Sequence, residues 1–208
     1  DKKLIRDFFT TMQLVMAGND SQGLRYGTIE TPEKYYLEWK EEVENPYAPK
    51  LDLHLSLMCN KKRFLQIIHD FIVFDSGVKK TCRHNQFFGI EAAKQRIAQR
   101  EGGIIWHTQG SGKSLTMVWL AKWIRENVIN SRVLIVTDRT ELDEQIEKVF
   151  SGVEETIYRT RSGADLIHTL NTINPSLICS LVHKFGRHVE DEEDDGESSA
   201  EFIEEMKK

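Results

Sequence analysis

The sequence predicts an α/β fold with a parallel sheet, and two observations carry that prediction. In the C-terminal half, short apolar runs alternate with longer segments whose apolar residues recur every three or four positions, as strands and helices alternate in such folds. Residues 133–137 (VLIVT) are apolar almost throughout, which is typical of a strand buried on both faces of a parallel sheet. The 208 residues suffice for one large domain or one and a half.

The N-terminal part of the chain has a different sequence pattern from the C-terminal half. Two extended apolar segments flank the turn-forming residues 18–20, which predicts a small β-hairpin. Residues 45–49 carry two of the four prolines and mark a boundary. Apolar residues in 51–58 and 64–71 then follow helical spacing, with Asn60 as the expected N-cap of the second helix, so a helical hairpin is predicted. The expected regions are 1–50, 51–82 and 83–208.

Residues 104–114 (IIWHTQGSGKS) predict a buried strand, a glycine-containing turn and the start of a helix. Gly110 and Gly112 permit a tight turn that aims main-chain N–H groups inward. Lys113 can reach the outer phosphates of a nucleotide, and the Ser114 hydroxyl can bind Mg²⁺. The pattern predicts a phosphate-binding loop whose nucleotide-contacting residues are Thr108, Gln109, Gly110, Ser111, Gly112, Lys113 and Ser114.

One residue departs from the general pattern GxxxxGK[ST], because His107 stands where the pattern has its first glycine. The alternative is an ordinary strand-to-helix connection that happens to contain GSGKS. The complete glycine-lysine-serine end and the expected strand and helix on either side favour a nucleotide site.

Further strand-and-helix units follow the loop. Residues 115–128 form an apolar-striped helix, and Thr140 with Asp143 is a capping-box start for the next one. Asp138 ends the strand 133–137, so it either holds Mg²⁺, as acids do in phosphate-loop enzymes, or belongs to a ligand-facing loop at the sheet edge. The remaining expected elements are a strand at 156–158, a helix capped by Ser162 and a strand at 177–182.

Gln86 lies 27 residues before Lys113, at the start of an amphipathic helix. A glutamine amide offers one donor group and one acceptor group, which match the two-sided edge of adenine. The alternative is a solvated glutamine at a helix start. Its position relative to the phosphate loop makes it a candidate for base recognition.

Composition excludes some classes of protein. No run approaches the roughly 18 apolar residues of a membrane span, the first residues lack a signal-peptide layout, and three cysteines without a CxxC pair suggest neither disulfides nor zinc. A cytoplasmic protein is expected. The net charge of −5 reflects seven acids within residues 190–197, a stretch expected to be a solvated loop; without them 26 acidic residues face 28 basic ones, so DNA contact is not excluded.

Glu38 and Lys40 form a Glu-x-Lys pair, which is half of a metal-dependent nuclease site. No acid at the end of a preceding strand completes it. The neighbouring aromatic residues, including Trp39, favour a packing role for this segment.

Together these motifs resemble the R subunit of type I restriction enzymes, which belongs to the superfamily-two helicases and translocases. The resemblance rests on Arg83 with Gln86, on residues 106–114, on Thr137-Asp138-Arg139 through Gln145, and on Ser180 through Phe185. His107 is then no anomaly, since the phosphate loops of this family resemble the present one at that position.

The resemblance implies an incomplete first RecA-like lobe of an ATP- and Mg²⁺-dependent translocase and endonuclease acting on double-stranded DNA with methyltransferase and specificity subunits. Lys113 would be catalytic, Gln86 would read adenine and Ser114 would bind Mg²⁺. The residues expected to contact the DNA backbone are Thr137, Arg139, Ser180 and Lys184. Residues 1–50 would be the tail of a nuclease region, while the water-activating motif and second lobe would lie beyond Lys208, leaving this fragment inactive alone.

Two rival functions stay open. The first is a small-molecule phosphotransferase that uses the same loop and holds Mg²⁺ with Asp138. The second is a nucleotide-binding module without catalysis. Stimulation of ATP hydrolysis by DNA distinguishes a translocase from both.

Overall fold

A computed structural model describes residues 8–9, 11–41 and 48–185, without the side chains of Glu141 and Asp143. The chain divides into two compact units, Asp1–Leu120 and Ala121–Lys208. The acidic stretch 190–197 lies outside the described residues. None of the described helices is long and apolar enough to cross a membrane.

The first unit opens with the three strands β1 (Val15–Asn19), β2 (Gly23–Gly27) and β3 (Leu37–Glu38), paired antiparallel in that order. The Asn19 side chain closes the first turn by accepting a hydrogen bond from the Gln22 N–H at 2.8 Å. The hairpin predicted from the sequence is confirmed. The two-residue strand β3 was not expected, because so short a strand carries no alternation to detect.

The two predicted helices are also confirmed, as α1 (Lys50–Met58) and α2 (Lys61–Asp70). Asn60 caps α2, since its side-chain oxygen accepts from the N–H groups of Lys62 and Arg63 at 3.2 and 3.5 Å.

The next two elements, β4 (Ile72–Asp75) and β5 (Val78–Thr81), form a second hairpin that the sequence reasoning missed. Its turn, Ser76-Gly77, has φ of 52° and 78°, the positive values that a two-residue hairpin turn requires. The Ser-Gly pair between apolar residues was the available signal.

Two helices then frame the phosphate loop: α3 (His84–Ala98) and α4 (Lys113–Asn127). The predicted strand before the loop is wrong for this structure. Residues 104–106 form no strand, and Ile104 and Trp106 are each 89% exposed. An apolar run becomes a strand only when neighbouring strands satisfy its N–H and C=O groups, and no strand among the described residues pairs with this run.

The second unit contains the predicted parallel sheet. Its strands are β6 (Val133–Thr137), β7 (Tyr158–Arg159) and β8 (Leu177–Leu181), in the order β6-β8-β7 and all parallel. The helices α5 (Thr140–Gly152) and α6 (Gly163–Leu170) alternate with them. The central strand β8 is buried along its whole length, so the α/β class is confirmed.

Of the two helix N-caps predicted in this unit, one is confirmed and the other is wrong. Ser162 caps α6, because its hydroxyl accepts from the Asp165 N–H at 3.1 Å. Thr140 is not a cap: it is the first residue of α5, and the N-cap is Arg139, whose side chain makes no capping bond. An N-cap residue must have non-helical dihedral angles, and at this helix start Arg139 is the residue that has them.

Candidate nucleotide site

The turn of the phosphate loop is built on two glycines. Gly110 has φ of +75° and Gly112 has φ of +85°, values that side-chain-bearing residues rarely adopt. Space restricts Gly112 further, because a Cβ atom at this position would lie 2.5 Å from Nε2 of Gln86. The two glycines of the pattern GSGK are therefore favoured by the shape of the turn, independently of what the loop binds.

Lys113 folds back over the loop that precedes it. Its ammonium group donates to the carbonyl oxygens of Thr108 at 3.0 Å and His107 at 3.3 Å while the side chain stays exposed. Lys113 is also the first residue of α4, so the free N–H groups of this helix start face the same turn. A cation and a helix N-terminus at one place form a site suited to phosphate.

Two serines complete the loop. Ser111 is only 7% exposed, and its hydroxyl has no hydrogen-bond partner among the described residues. Buried hydroxyl groups are nearly always paired, so this one is suited to a ligand oxygen. Ser114 lies half-buried in the first turn of α4, where Mg²⁺-binding hydroxyl groups of phosphate loops lie.

Gln86 contacts the loop directly and is only 3% exposed, so it is not a solvated glutamine. Its Oε1 accepts from the Arg83 N–H at 2.8 Å, and its Nε2 donates to the Gly112 carbonyl at 2.9 Å. Both ends of the amide are thus engaged within the chain. Each end keeps one further hydrogen or lone pair, and base recognition by Gln86 stays a prediction.

A cavity of about 430 Å³ adjoins the loop on the side of the α3 N-terminus. Arg83 lines this cavity and donates from Nη1 to the Gly110 carbonyl at 3.3 Å. Burial and the nearby Lys40 ammonium lower the pKa of His84, which favours a neutral imidazole. The cavity is lined by Arg83, His84, Asn85, Trp106, His107, Thr108, Gln109, Gly110 and Ser111.

The second unit contains the four residues expected to contact DNA. Arg139 is open to solvent, with 77% of its side chain exposed and its Nε 3.7 Å from the Asp138 carboxylate. Thr137 is buried at 5% exposure, and its hydroxyl has no partner among the described residues. Only a rearrangement would bring the Thr137 hydroxyl to a DNA phosphate.

The other two candidates, Ser180 and Lys184, both form hydrogen bonds with Thr160. Ser180 is 1% exposed and accepts from the Thr160 hydroxyl at 2.8 Å, while the Lys184 ammonium donates to the Thr160 carbonyl. In this structure Ser180 is therefore inaccessible to a phosphate. Arg161, exposed two residues after β7, is a candidate that the sequence reasoning missed; its signal was a basic residue two positions after a strand, as for Arg139.

In the Glu38-x-Lys40 pair, the Glu38 carboxylate forms ion pairs with basic side chains. The Glu38 carboxylate lies 3.2 Å from Nη1 of Arg25 and 3.9 Å from Nζ of Lys40. Trp39, between them, is fully buried. Across the part of the chain that the structure describes, no group of three or more histidines, cysteines or acids is placed to bind a metal. These contacts favour the packing interpretation.

Comparison with known proteins defines the family. Residues 85–207, more than half of the chain, match the model of the SWI2/SNF2 ATPase family. The chain belongs to the SWI2/SNF2 ATPase family. Within this SWI2/SNF2 chain the match includes Gln86, the phosphate loop and the parallel sheet of the second unit.

Curated relatives of this SWI2/SNF2 chain are named as endonuclease subunits of type I restriction enzymes. The putative MjaIXP subunit of Methanocaldococcus jannaschii is 34% identical over 71% of this chain and 15% of its own length. The HindI subunit of Haemophilus influenzae is 28% identical over 76% of this chain and 17% of its own length. The SsaAORF53P subunit of Staphylococcus saprophyticus is 28% identical over 88% of this chain and 20% of its own length.

The resemblance to type I restriction subunits is thereby confirmed. The chain spans no more than a fifth of the length of these three relatives.

Proposed function

We propose that this chain is the ATP-binding part of the DNA translocase in the endonuclease subunit of a type I restriction enzyme. In the whole cytoplasmic complex, ATP hydrolysis drives movement along double-stranded DNA, with methyltransferase and specificity subunits as partners. The observation that carries the proposal is the loop in which Lys113, two positive-φ glycines and the start of α4 converge.

ATP phosphates would replace the loop carbonyls as partners of Lys113. The ammonium group would then neutralise charge on the β- and γ-phosphates, while the N–H groups of Gly110 to Lys113 donate to phosphate oxygens. The unpartnered, buried Ser111 hydroxyl and the positive φ of Gly110 and Gly112 support this fit. Gln86 would read adenine with the remaining hydrogen and lone pair of its amide.

Ser114 would hold Mg²⁺, which neutralises phosphate charge when it is bound. Residues 83–208 would be the N-terminal part of a RecA-like lobe, residues 51–82 its connector and residues 1–50 the tail of a nuclease region.

DNA would be bound through its backbone, because a translocase must bind every sequence alike. Arg139 is the accessible member of the predicted set. Thr137, Ser180 and Lys184 would contribute after the region around Thr160 rearranges. One basic residue follows each of the three parallel strands: Arg139, Arg161 and Lys184. These residues would form a row of positive charges at one edge of the sheet, suited to binding DNA phosphates.

The deciding experiment measures ATP hydrolysis by the full endonuclease subunit with and without duplex DNA. A translocase hydrolyses ATP faster when DNA is present, and Lys113→Ala abolishes that stimulation. Transfer of the γ-phosphoryl group of ATP to a small-molecule acceptor, with release of ADP and no effect of DNA, would instead identify the phosphotransferase. Binding of ATP without turnover under any condition would identify the non-catalytic module.

A further inference from the structure

A chain of three hydrogen bonds joins the N-terminal sheet to the phosphate loop. The hydroxyl group of Tyr26, on β2, donates to the Cys82 carbonyl at 2.9 Å. The N–H of that same peptide group belongs to Arg83 and donates to Oε1 of Gln86 at 2.8 Å. Nε2 of Gln86 then donates to the Gly112 carbonyl at 2.9 Å. All three bonds run in one direction, so each one polarises the next.

Both side-chain donors of this hydrogen-bond relay, the Tyr26 hydroxyl and the Gln86 amide, belong to buried residues, so water competes little for their bonds. Tyr26 and Cys82 are fully buried, and Gln86 is 3% exposed. Burial also raises the pKa of Tyr26 above its ordinary value, so the phenol stays protonated and remains a donor. The relay is therefore intact throughout the physiological pH range.

Aromatic packing holds Tyr26 close to the helix start that carries Gln86. The ring of Tyr26 lies 6.2 Å from that of Trp39, which lies 5.4 Å from the ring of Phe87, the neighbour of Gln86. A second buried bond ties the end of the same sheet to β5, since the Thr28 hydroxyl donates to the Lys79 carbonyl at 2.6 Å. The sheet, the start of α3 and the loop are consequently held as one packed assembly.

We propose that Tyr26 is a positioning residue for the nucleotide. Its hydroxyl fixes the plane of the peptide group between Cys82 and Arg83, and that plane fixes the amide of Gln86. The amide in turn holds the Gly112 carbonyl, and the next N–H along the loop, that of Lys113, points towards the phosphates. The inference rests on the proposed function in one respect, since ATP affinity is its main readout.

Tyr26→Phe tests the proposal, because it removes only the hydroxyl group. The matched control is Tyr158→Phe, which removes a phenol hydrogen bond of the same 2.9 Å length, to Asp165. We expect Tyr26→Phe to weaken ATP binding by about 3- to 10-fold in calorimetry, the usual effect of one lost hydrogen bond. Tyr158→Phe should leave ATP affinity unchanged.

A double-mutant cycle separates positioning from general destabilisation. If Tyr26 acts through Gln86, the variant Tyr26→Phe/Gln86→Ala binds ATP no more weakly than Gln86→Ala alone. Full additivity of the two losses, or ATP affinity unchanged in Tyr26→Phe, would overturn the proposal.

Amide hydrogen exchange supplies a readout that needs no ligand. In Tyr26→Phe, the hydrogen-bonded N–H of Arg83 should exchange faster than in the unmodified chain and in Tyr158→Phe. Unchanged exchange at Arg83 would refute the relay even if ATP binds. Failure of the unmodified chain to bind ATP would instead refute the proposed function, and the exchange rates would still decide the relay.

Discussion

The side-chain amide of Gln86 donates a hydrogen bond to the main-chain carbonyl of Gly112 at 2.9 Å. This single contact joins the start of α3 to the turn of the phosphate loop across 26 residues of sequence. A group expected to recognise the base thus also contacts the turn that is proposed to bind the phosphates. Changes at either residue should therefore affect the other.

Lys113→Ala should weaken ATP binding by about 10- to 100-fold, because charge-assisted hydrogen bonds contribute about 1.5–3 kcal/mol. Titration calorimetry with ATP measures the effect. Lys122→Ala is the control, since Lys122 lies on the same helix and its nearest carboxylate, on Glu126, is 4.0 Å away. Equal ATP affinity in both variants would contradict the assignment of the loop.

Gly112→Ala should destabilise the protein by about 1–2 kcal/mol, because an alanine at φ of +85° is strained. Its Cβ would also displace the Gln86 amide, so ATP binding should fall as well. Urea unfolding and calorimetry measure the two effects. In the control Gly102→Ala the added Cβ meets nothing within 4 Å, and a loss of equal size there would show that the turn geometry is not responsible.

Acid should reduce stability through His84. Burial and Lys40 lower the pKa of this imidazole in the folded state, so the unfolded chain binds the proton more readily. The contribution of His84 is fully present above the ordinary histidine pKa of 6.5 and is lost as pH falls through the lower folded pKa. Urea midpoints measured from pH 8 to pH 5 should fall less in His84→Gln than in the unmodified chain. An identical pH profile in the two proteins would exclude this role.

Arg139→Ala should weaken binding to duplexes of any sequence to a similar degree and reduce the salt dependence by about one phosphate contact. Fluorescence anisotropy at several salt concentrations measures both. Lys148→Ala is the control, because Lys148 is an exposed cation on the neighbouring helix α5. A loss confined to one DNA sequence would argue against a backbone contact.

Several features of the fold were predictable because their causes are local. The caps at Asn60 and Ser162 follow from side chains that bond N–H groups two or three residues away. The strand β6 follows from five consecutive residues of high strand propensity. The wrongly assigned cap at Thr140 shows the limit of such rules, since a neighbouring residue can take the position.

The sequence by itself predicted the phosphate loop, because two glycines, a lysine and a serine at this spacing are recognisable without any tertiary contact. Only the tertiary structure decided which groups the loop contacts. Gln86 meets Gly112, and Tyr26 meets Cys82 across 56 residues, through packing that no local pattern encodes. The exposure of residues 104–106 and the burial of Ser180 were likewise tertiary outcomes, since a strand needs partners and a hydroxyl is accessible only where its neighbours leave space.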